Sequence, residues 1–270
     1  MFNRKSNPFN SLLITLMMLT GCGSTAADTS GGSEDDRTAG QHILNCIEAS
    51  GHHVYKRTMK CPLGGEEFEA LALGTHSTYG VSLDWESVSY MRFPVPIPIC
   101  PSNGYIILNE DASDDEIERT TAVIESPEYQ SLYAQRHATY YLYAKLTELL
   151  GKNEEDRWWY YRQATSEADL CEAPERYRQY ALATIVEGER KMAQLSEAEN
   201  EYWTLSIVIP NMYRRLGQFD AAKSWLDQFN QVHSGDGEDG DFYRLARKLL
   251  IQAIADGRSE RISIEEKEDE

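Results

Sequence analysis

The sequence predicts an α+β fold, mainly α, with a small β region in front and an antiparallel helical array behind. Three observations carry this. Val54-Tyr55-Lys56-Arg57-Thr58, the run through Phe68, Leu71 and Leu73, and Tyr105-Ile106-Ile107-Leu108 read as short strands. From Asp114 onward, apolar residues recur at three- and four-residue spacings between cap and stop signals. Between these halves, residues 109–116 are acidic and mark a boundary.

The first 21 residues have the layout of an export signal. Arg4 and Lys5 form a basic start, and Leu12, Leu13, Ile14, Leu16, Met17, Met18 and Leu19 form an apolar run. That run is too short to cross a bilayer, which takes about 20 residues. It ends in Leu19-Thr20-Gly21-Cys22, which resembles the bacterial lipoprotein box. The resemblance implies cleavage before Cys22, lipid on its sulfur and stable membrane attachment through more than one acyl chain. Gly23 at the next position resembles sorting to the outer membrane, facing the periplasm. Residues 22–40 hold small, polar and acidic residues and read as a flexible tether.

The β region is expected over 41–112. Ile43, Leu44 and Ile47 are spaced for a short helical face, ended by Gly51. The stretch Gly74 to Val88 is polar and mixed, with Trp85 as its large apolar anchor. In Phe93-Pro94-Val95-Pro96-Ile97-Pro98-Ile99 the prolines fall at every second residue. Their missing donors lie along one edge of an extended chain, predicting an edge strand or polyproline segment with that side to solvent. A PxxP-type peptide ligand is the functional alternative.

The helical domain is expected over 113–256. Ser113 and Glu116 form a capping box. A helix is predicted over about 128–150, stopped by Gly151, and another over 153–168. A long helix follows Pro174 to about 194. Ser196 and Glu199 cap one that runs to about 216. Further helices are predicted over 220–233 and 241–255. Residues 257–270 form a charged tail, read as frayed.

The chain carries 44 acidic and 26 basic residues, a net charge of −18. Loss of Arg4 and Lys5 with the leader takes it to about −20. This balance disfavours nucleic acid, whose binding rests on phosphate neutralisation, and anionic lipid heads. Once Cys22 carries lipid, Cys46, Cys61, Cys100 and Cys171 remain. An even number in an exported chain points to disulfides, in any of three pairings.

Two short motifs frame the β region: Cys61-Pro62-Leu63-Gly64-Gly65 and Cys100-Pro101-Ser102-Asn103-Gly104. They resemble the two knuckles of a zinc ribbon, with Gly64 and Asn103 where second cysteines would stand. The likeness implies that Cys61 and Cys100 once faced one metal, and that they are joined as a disulfide in an oxidising compartment. Cys46 then falls to Cys171. The alternative keeps a metal, with zinc held by Cys61 and Cys100 together with His52 and His53, or His76.

Arg215-Leu216-Gly217-Gln218-Phe219-Asp220-Ala221-Ala222 resembles the turn of a tetratricopeptide (TPR) hairpin, and Leu149-Leu150-Gly151-Lys152 with Trp158, Trp159 and Ala164 is a weaker copy. Paired knuckles, an acidic boundary, tyrosine-rich helices and the Arg214–Ala222 turn occur in one order over residues 55–255. Together they resemble a bacterial domain family with a zinc-ribbon-like front and TPR-like helices. That family has no assigned activity, so the likeness implies architecture alone.

Motifs of chemistry are missing. The sequence has no CxxC, HExxH, G-x-S-x-G or P-loop. Asp236-Gly237-Glu238-Asp239-Gly240-Asp241 places glycine where an EF-hand needs an oxygen ligand, and reads as a solvated acidic turn. The sequence therefore predicts a lipid-anchored envelope protein acting as a non-enzymatic interaction scaffold. Its partners are a membrane, through Cys22, and a protein or peptide. It is expected to use no cofactor. A metal-binding or redox protein built on Cys61 and Cys100 is the alternative, and an enzyme of unrecognised motif the second.

Overall fold

The computed structural model describes residues 54–91, 93–152, 156–229 and 238–264, all within one compact unit, Glu34–Glu270. The predicted helical face at 43–47, the tether, the leader and most of the 234–240 loop lie outside the described residues.

Strands β1 (Val54–Lys60) and β2 (Glu67–Leu73) form a two-stranded antiparallel sheet, with Lys60 opposite Glu67 and Val54 opposite Leu73. The first knuckle is the turn that joins them. The mixed stretch from Gly74 to Val88 is a second hairpin, β3 (Thr78–Ser82) and β4 (Ser87–Ser89). Its polar composition hides it from pattern reading, since Tyr79 and Gly80 are exposed and only its tip is buried.

The proline segment corrects the expected edge strand. Residues 94–98 form no strand, and Pro94 and Pro96 are buried instead of facing solvent. The segment lies along the start of a helix, where Thr139 Oγ1 accepts from the Ile97 amide at 2.9 Å and the Tyr140 hydroxyl donates to the Val95 carbonyl at 3.3 Å. Pairing begins only beyond it, as a bridge between Ile99 and Ile106, so the strand expected at 105–108 shrinks to that bridge.

Eight helices follow among the described residues. They are α1 (Asp114–Ile124), α2 (Pro127–Ala134), α3 (Thr139–Leu149), α4 (Arg157–Leu170), α5 (Pro174–Met192), α6 (Asn200–Arg215), α7 (Phe219–Gln228) and α8 (Glu238–Ala255). Ser113 and Glu116 close the predicted capping box on α1. The helix predicted over 128–150 is two helices. Arg136 takes a left-handed conformation (φ 54°) between them, and the apolar periodicity continues across the break. No side chain of its own cap holds the start of α3. Partners from other helices replace it: the Tyr180 hydroxyl accepts from the Ala138 amide and Glu167 from the Tyr140 amide, each at 3.1 Å. A carboxylate there also complements the helix dipole. Ser196 and Glu199 do bond to each other, but α6 starts after Glu199, so their box closes the preceding turn.

The array is built from sequence neighbours, α4 on α5, α5 on α6 and α6 on α7, with α8 returning onto α6. Gly188 permits the closest approach, since a Cβ there would stand 3.2 Å from side-chain atoms of Leu205 and Ile209. Gly151 and Gly217, both at positive φ, end α3 and α6. In each, the two residues past the cap donate to carbonyls of the last turn, as in Gly217 to Arg214 (2.9 Å) and Gln218 to Tyr213 (2.9 Å). The same turn recurs after α8 at Gly257.

The charged tail is ordered as far as it is described. Ser263–Ile264 form β5, which pairs antiparallel with β3. Ile264 is buried with Leu83, Trp203, Ile207 and Leu250 in one apolar cluster. The strand order β4-β3-β5 thus fastens the C-terminal segment to the front hairpin.

Candidate functional site

The two knuckles fold alike. In the first, the Gly65 amide donates to the Cys61 carbonyl (3.1 Å) and the Cys61 amide to Glu66 (2.8 Å). In the second, Gly104 donates to Cys100 (2.9 Å) and Cys100 to Tyr105 (2.8 Å). Gly64, Gly65 and Gly104 have positive φ, as such tight turns demand. Cys61 and Cys100 are joined in a disulfide, with Cα atoms 5.7 Å apart and a separation of 39 positions in sequence.

Side chains reinforce the bridge. Asn103, where the knuckle pattern expects a cysteine, donates to the Leu63 carbonyl of the opposite knuckle at 2.9 Å and accepts from the Tyr105 amide at 2.9 Å. Glu66 accepts from the Ser102 amide (3.0 Å) and hydroxyl (2.6 Å). Helix α2 holds the second knuckle from behind: Tyr129 donates to Gly104, Gln130 to Asn103 and Tyr133 to Pro101, at 2.7, 2.9 and 2.8 Å.

These residues do not fit zinc. Sulfurs bonded to each other are not thiolates, Gly64 offers no donor atom, and both ends of the Asn103 amide are engaged. The donor atoms that do gather are those of Cys61, Glu66 and Cys100. His52 and His53 lie outside the described residues. His76 sits instead against the Phe93 ring, with Nδ1 at 3.3 Å from the Gly74 carbonyl. Cys22 and Cys46 lie outside the described residues as well, and Cys171 is buried at the end of α4.

A second constellation, unmarked by any motif, lies where the β3–β4 hairpin enters the array. Its tip, Ser82 to Glu86, is buried apart from Trp85, which is half-buried. Trp85 takes a left-handed conformation (φ 61°) and stacks on Tyr243, with ring centroids 5.6 Å apart. Around the tip, arginines from α4 and α6 close in. Arg162 donates to the carbonyls of Asp84 (3.2 Å) and Trp85 (3.0 Å) and pairs with Glu86 at 3.5 Å. Asn211 donates to Asp84 at 2.9 Å, and Arg215 pairs with Asp84 at 3.5 Å and with Asp169 at 2.8 Å. Arg214, fully buried, donates to the carbonyls of Arg258 (2.5 Å) and Glu260 (2.9 Å). The Arg214–Arg215 pair of the TPR-like turn therefore serves the chain itself, one arginine holding the C-terminal segment and the other the hairpin.

Burial dominates the electrostatics there. It raises the Glu86 and Glu167 carboxyls to about 7, against the opposing pull of Arg162 on Glu86 and of hydrogen bonds on Glu167. His137, between α2 and α3, is lowered to about 4 by burial and by the neighbouring Arg176.

Beside the hairpin a cleft of about 260 Å³ opens between Trp85, Glu86, Phe93, Tyr140, Trp159 and Arg162. A larger, shallower one of about 730 Å³ lies where Arg215 and Tyr177 face Glu260 and Arg261. The only sequence signal for the hairpin lock was a tryptophan between two acids, Asp84-Trp85-Glu86, whose partners stand 76 or more residues away.

No family model, curated protein or solved structure matches the chain. No helix among the described residues is long and apolar enough to cross a membrane.

Proposed function

We propose that the protein is a lipid-anchored, non-enzymatic interaction scaffold of the bacterial cell envelope, held at the outer membrane through Cys22 and facing the periplasm. The export-like leader and lipobox-like Leu19-Thr20-Gly21-Cys22 support the anchor. The helical array supports the scaffold, and one observation carries it. The hairpin tip takes up the interior side of α4 and α6, while Leu182 and Val186, one turn apart on α5, are 40% and 63% exposed. An apolar pair on an otherwise polar helix face is suited to a protein or peptide partner.

Mass spectrometry of the mature chain, reduced and non-reduced, tests the anchor and the cysteine pairing together. A diacylated Cys22, with Cys61–Cys100 and Cys46–Cys171 linked, is expected. An unmodified Cys22 overturns the anchor. Cross-linking in intact envelopes tests the scaffold. The native chain should capture a protein that Val186→Asp fails to capture, and equal capture by both overturns the assigned face.

The metal or redox reading draws on one observation, the convergence of Cys61, Glu66 and Cys100. It requires two free thiols in the exported protein, which a thiol count on protein from the periplasm decides.

A further inference from the structure

We propose that the cleft beside the hairpin binds a proline-rich peptide segment in the extended polyproline conformation. The inference rests on the cleft alone, and on neither the anchor nor the exposed apolar pair on α5.

The accessible lining is aromatic and uncharged. Trp85, Phe93, Tyr140 and Trp159 are each half-buried where they line it. The charged lining residues, Glu86 and Arg162, are only 2% and 1% exposed and present little surface to a ligand. A chain of net charge −18 therefore carries an uncharged aromatic slot. At about 260 Å³ the slot is too small for a helix, which is about 10–12 Å across with its side chains. It suits the rings of a single extended segment.

The polar groups of the lining define that segment. The indole N–H groups of Trp85 and Trp159 have no hydrogen-bond partner among the described residues, yet neither is shut off from solvent. Gln163 commits its Oε1 to Arg162, which leaves its accessible amide nitrogen as a donor. The Tyr140 hydroxyl already donates to Val95. The unclaimed groups are thus donors, apart from the Ser87 hydroxyl, which can also accept. A proline-rich segment is their complement. Proline has no amide hydrogen, and a polyproline helix makes no internal hydrogen bonds, so its carbonyls stay free to accept. Its rings pack on aromatic walls, and its stiffness leaves little conformational entropy to lose. An ordinary peptide would bring an N–H with each residue, for which this lining has few acceptors.

The chain applies the same chemistry to its own sequence. Pro94 and Val95 of the alternating-proline segment form part of the wall, and the Tyr140 hydroxyl donates to the Val95 carbonyl at 3.3 Å. The stretch that sequence offers as a PxxP-type ligand is therefore used within the fold. The remaining walls are set in advance: Trp159 carries the Arg162 guanidinium 4.1 Å from its ring centre, and Trp85 is stacked on Tyr243. Little ordering remains to oppose binding.

Fluorescence anisotropy of a dye-labelled octaproline, titrated with the full chain and competed by the unlabelled peptide, tests this. Saturable binding with Kd below about 1 mM is expected, and an alternating glycine–serine octapeptide should not compete. Trp159→Ala should weaken binding at least about tenfold, as loss of a central aromatic does. Gln163→Glu keeps the oxygen that Arg162 holds and removes only the N–H donors. It should weaken binding about fivefold or more. Should Trp159→Ala fail to fold, Gln163→Glu, at a half-buried position, carries the test. Val186→Asp should leave octaproline binding unchanged, which separates this site from the α5 face. The proposal is overturned if octaproline does not saturate, if the glycine–serine peptide competes equally, if either folded cleft variant binds as the native chain does, or if Val186→Asp abolishes binding.

Discussion

Gly104 closes the second knuckle and Gly64 lies at the turn of the first; both have positive φ, yet their surroundings differ. A Cβ on Gly104 would stand 2.8 Å from the Tyr133 ring, whereas one on Gly64 would meet nothing within 4 Å. A left-handed L-residue costs about 1–2 kcal/mol, and overpacking adds about 1–3 kcal/mol. Gly104→Ala should therefore lower unfolding stability by about 2–5 kcal/mol, and Gly64→Ala by only about 1–2 kcal/mol. The two urea midpoints read the difference, and equal losses would disprove the docking of α2 on the second knuckle. Glu86 makes a harsher case. Removing one member of a buried pair strands the other, at about 3–5 kcal/mol. Glu86→Ala should approach that loss by the same measurement, because the hydrogen-bond partners left to Arg162, the Asp84 and Trp85 carbonyls and the Gln163 side chain, carry no charge.

At the scale of elements, the binding of β5 to β3 is the least expected feature. Leu83 donates to the Ile262 carbonyl at 2.8 Å, and Val81 pairs with Ile264. Deleting residues 261–270 exposes Leu83 and removes Ile264, a loss of at least about 2 kcal/mol from buried apolar surface alone. Amide exchange at Val81 and Leu83 should quicken in the truncated chain while that of α5 is less affected. Uniform exchange would deny the strand its role. This element also marks where sequence reading stops. Helices from Pro174 and after the Ser113 cap were legible because caps, prolines and 3.6-residue spacing are local. The β1–β2 hairpin and the knuckle pair were legible through Cys-Pro and Gly. Contacts of arginine with distant carbonyls leave no local trace, so nothing in the sequence marks Arg162, Arg214 and Arg215 as partners of the hairpin or the C-terminal segment, and residues 257–270 read as a frayed tail. The break at Arg136 stayed hidden for the opposite reason, since local periodicity runs through it. The hairpin escaped notice because one face is solvated and its anchor is a lone tryptophan, and with it went the cleft.

For the molecule as a whole, stability depends on a cross-link and on the protonation of buried acids. The disulfide closes about 40 residues, so reducing it should cost up to about 4 kcal/mol through the freed unfolded chain. A midpoint unmoved by reductant would mean that Asn103 and Glu66 hold the knuckles alone. The buried acids give the protein a distinctive pH response. Glu86 and Glu167 titrate near 7 when folded, against an ordinary value of 4.5. The folded state thus holds protons more tightly than the unfolded chain, and stability is gained as pH falls from about 7 to 4.5. Each group contributes on the order of 3 kcal/mol. His137 opposes them, because its folded value near 4 lies below the ordinary 6.5. The unfolded chain takes that proton first, and stability is lost between 6.5 and 4. Above 6.5 only the acids act, and from 6.5 to 4.5 two gains oppose one loss. Thermal midpoints should therefore be higher at pH 5.5 than at pH 8. The net charge of −18 acts in the same direction, since acidification relieves surface repulsion. Salt separates the two causes, because about 0.5 M salt screens exposed charges and leaves buried ones largely unscreened. A rise in midpoint that persists in salt and shrinks in Glu86→Gln assigns the effect to the buried acids. A rise abolished by salt assigns it to the surface.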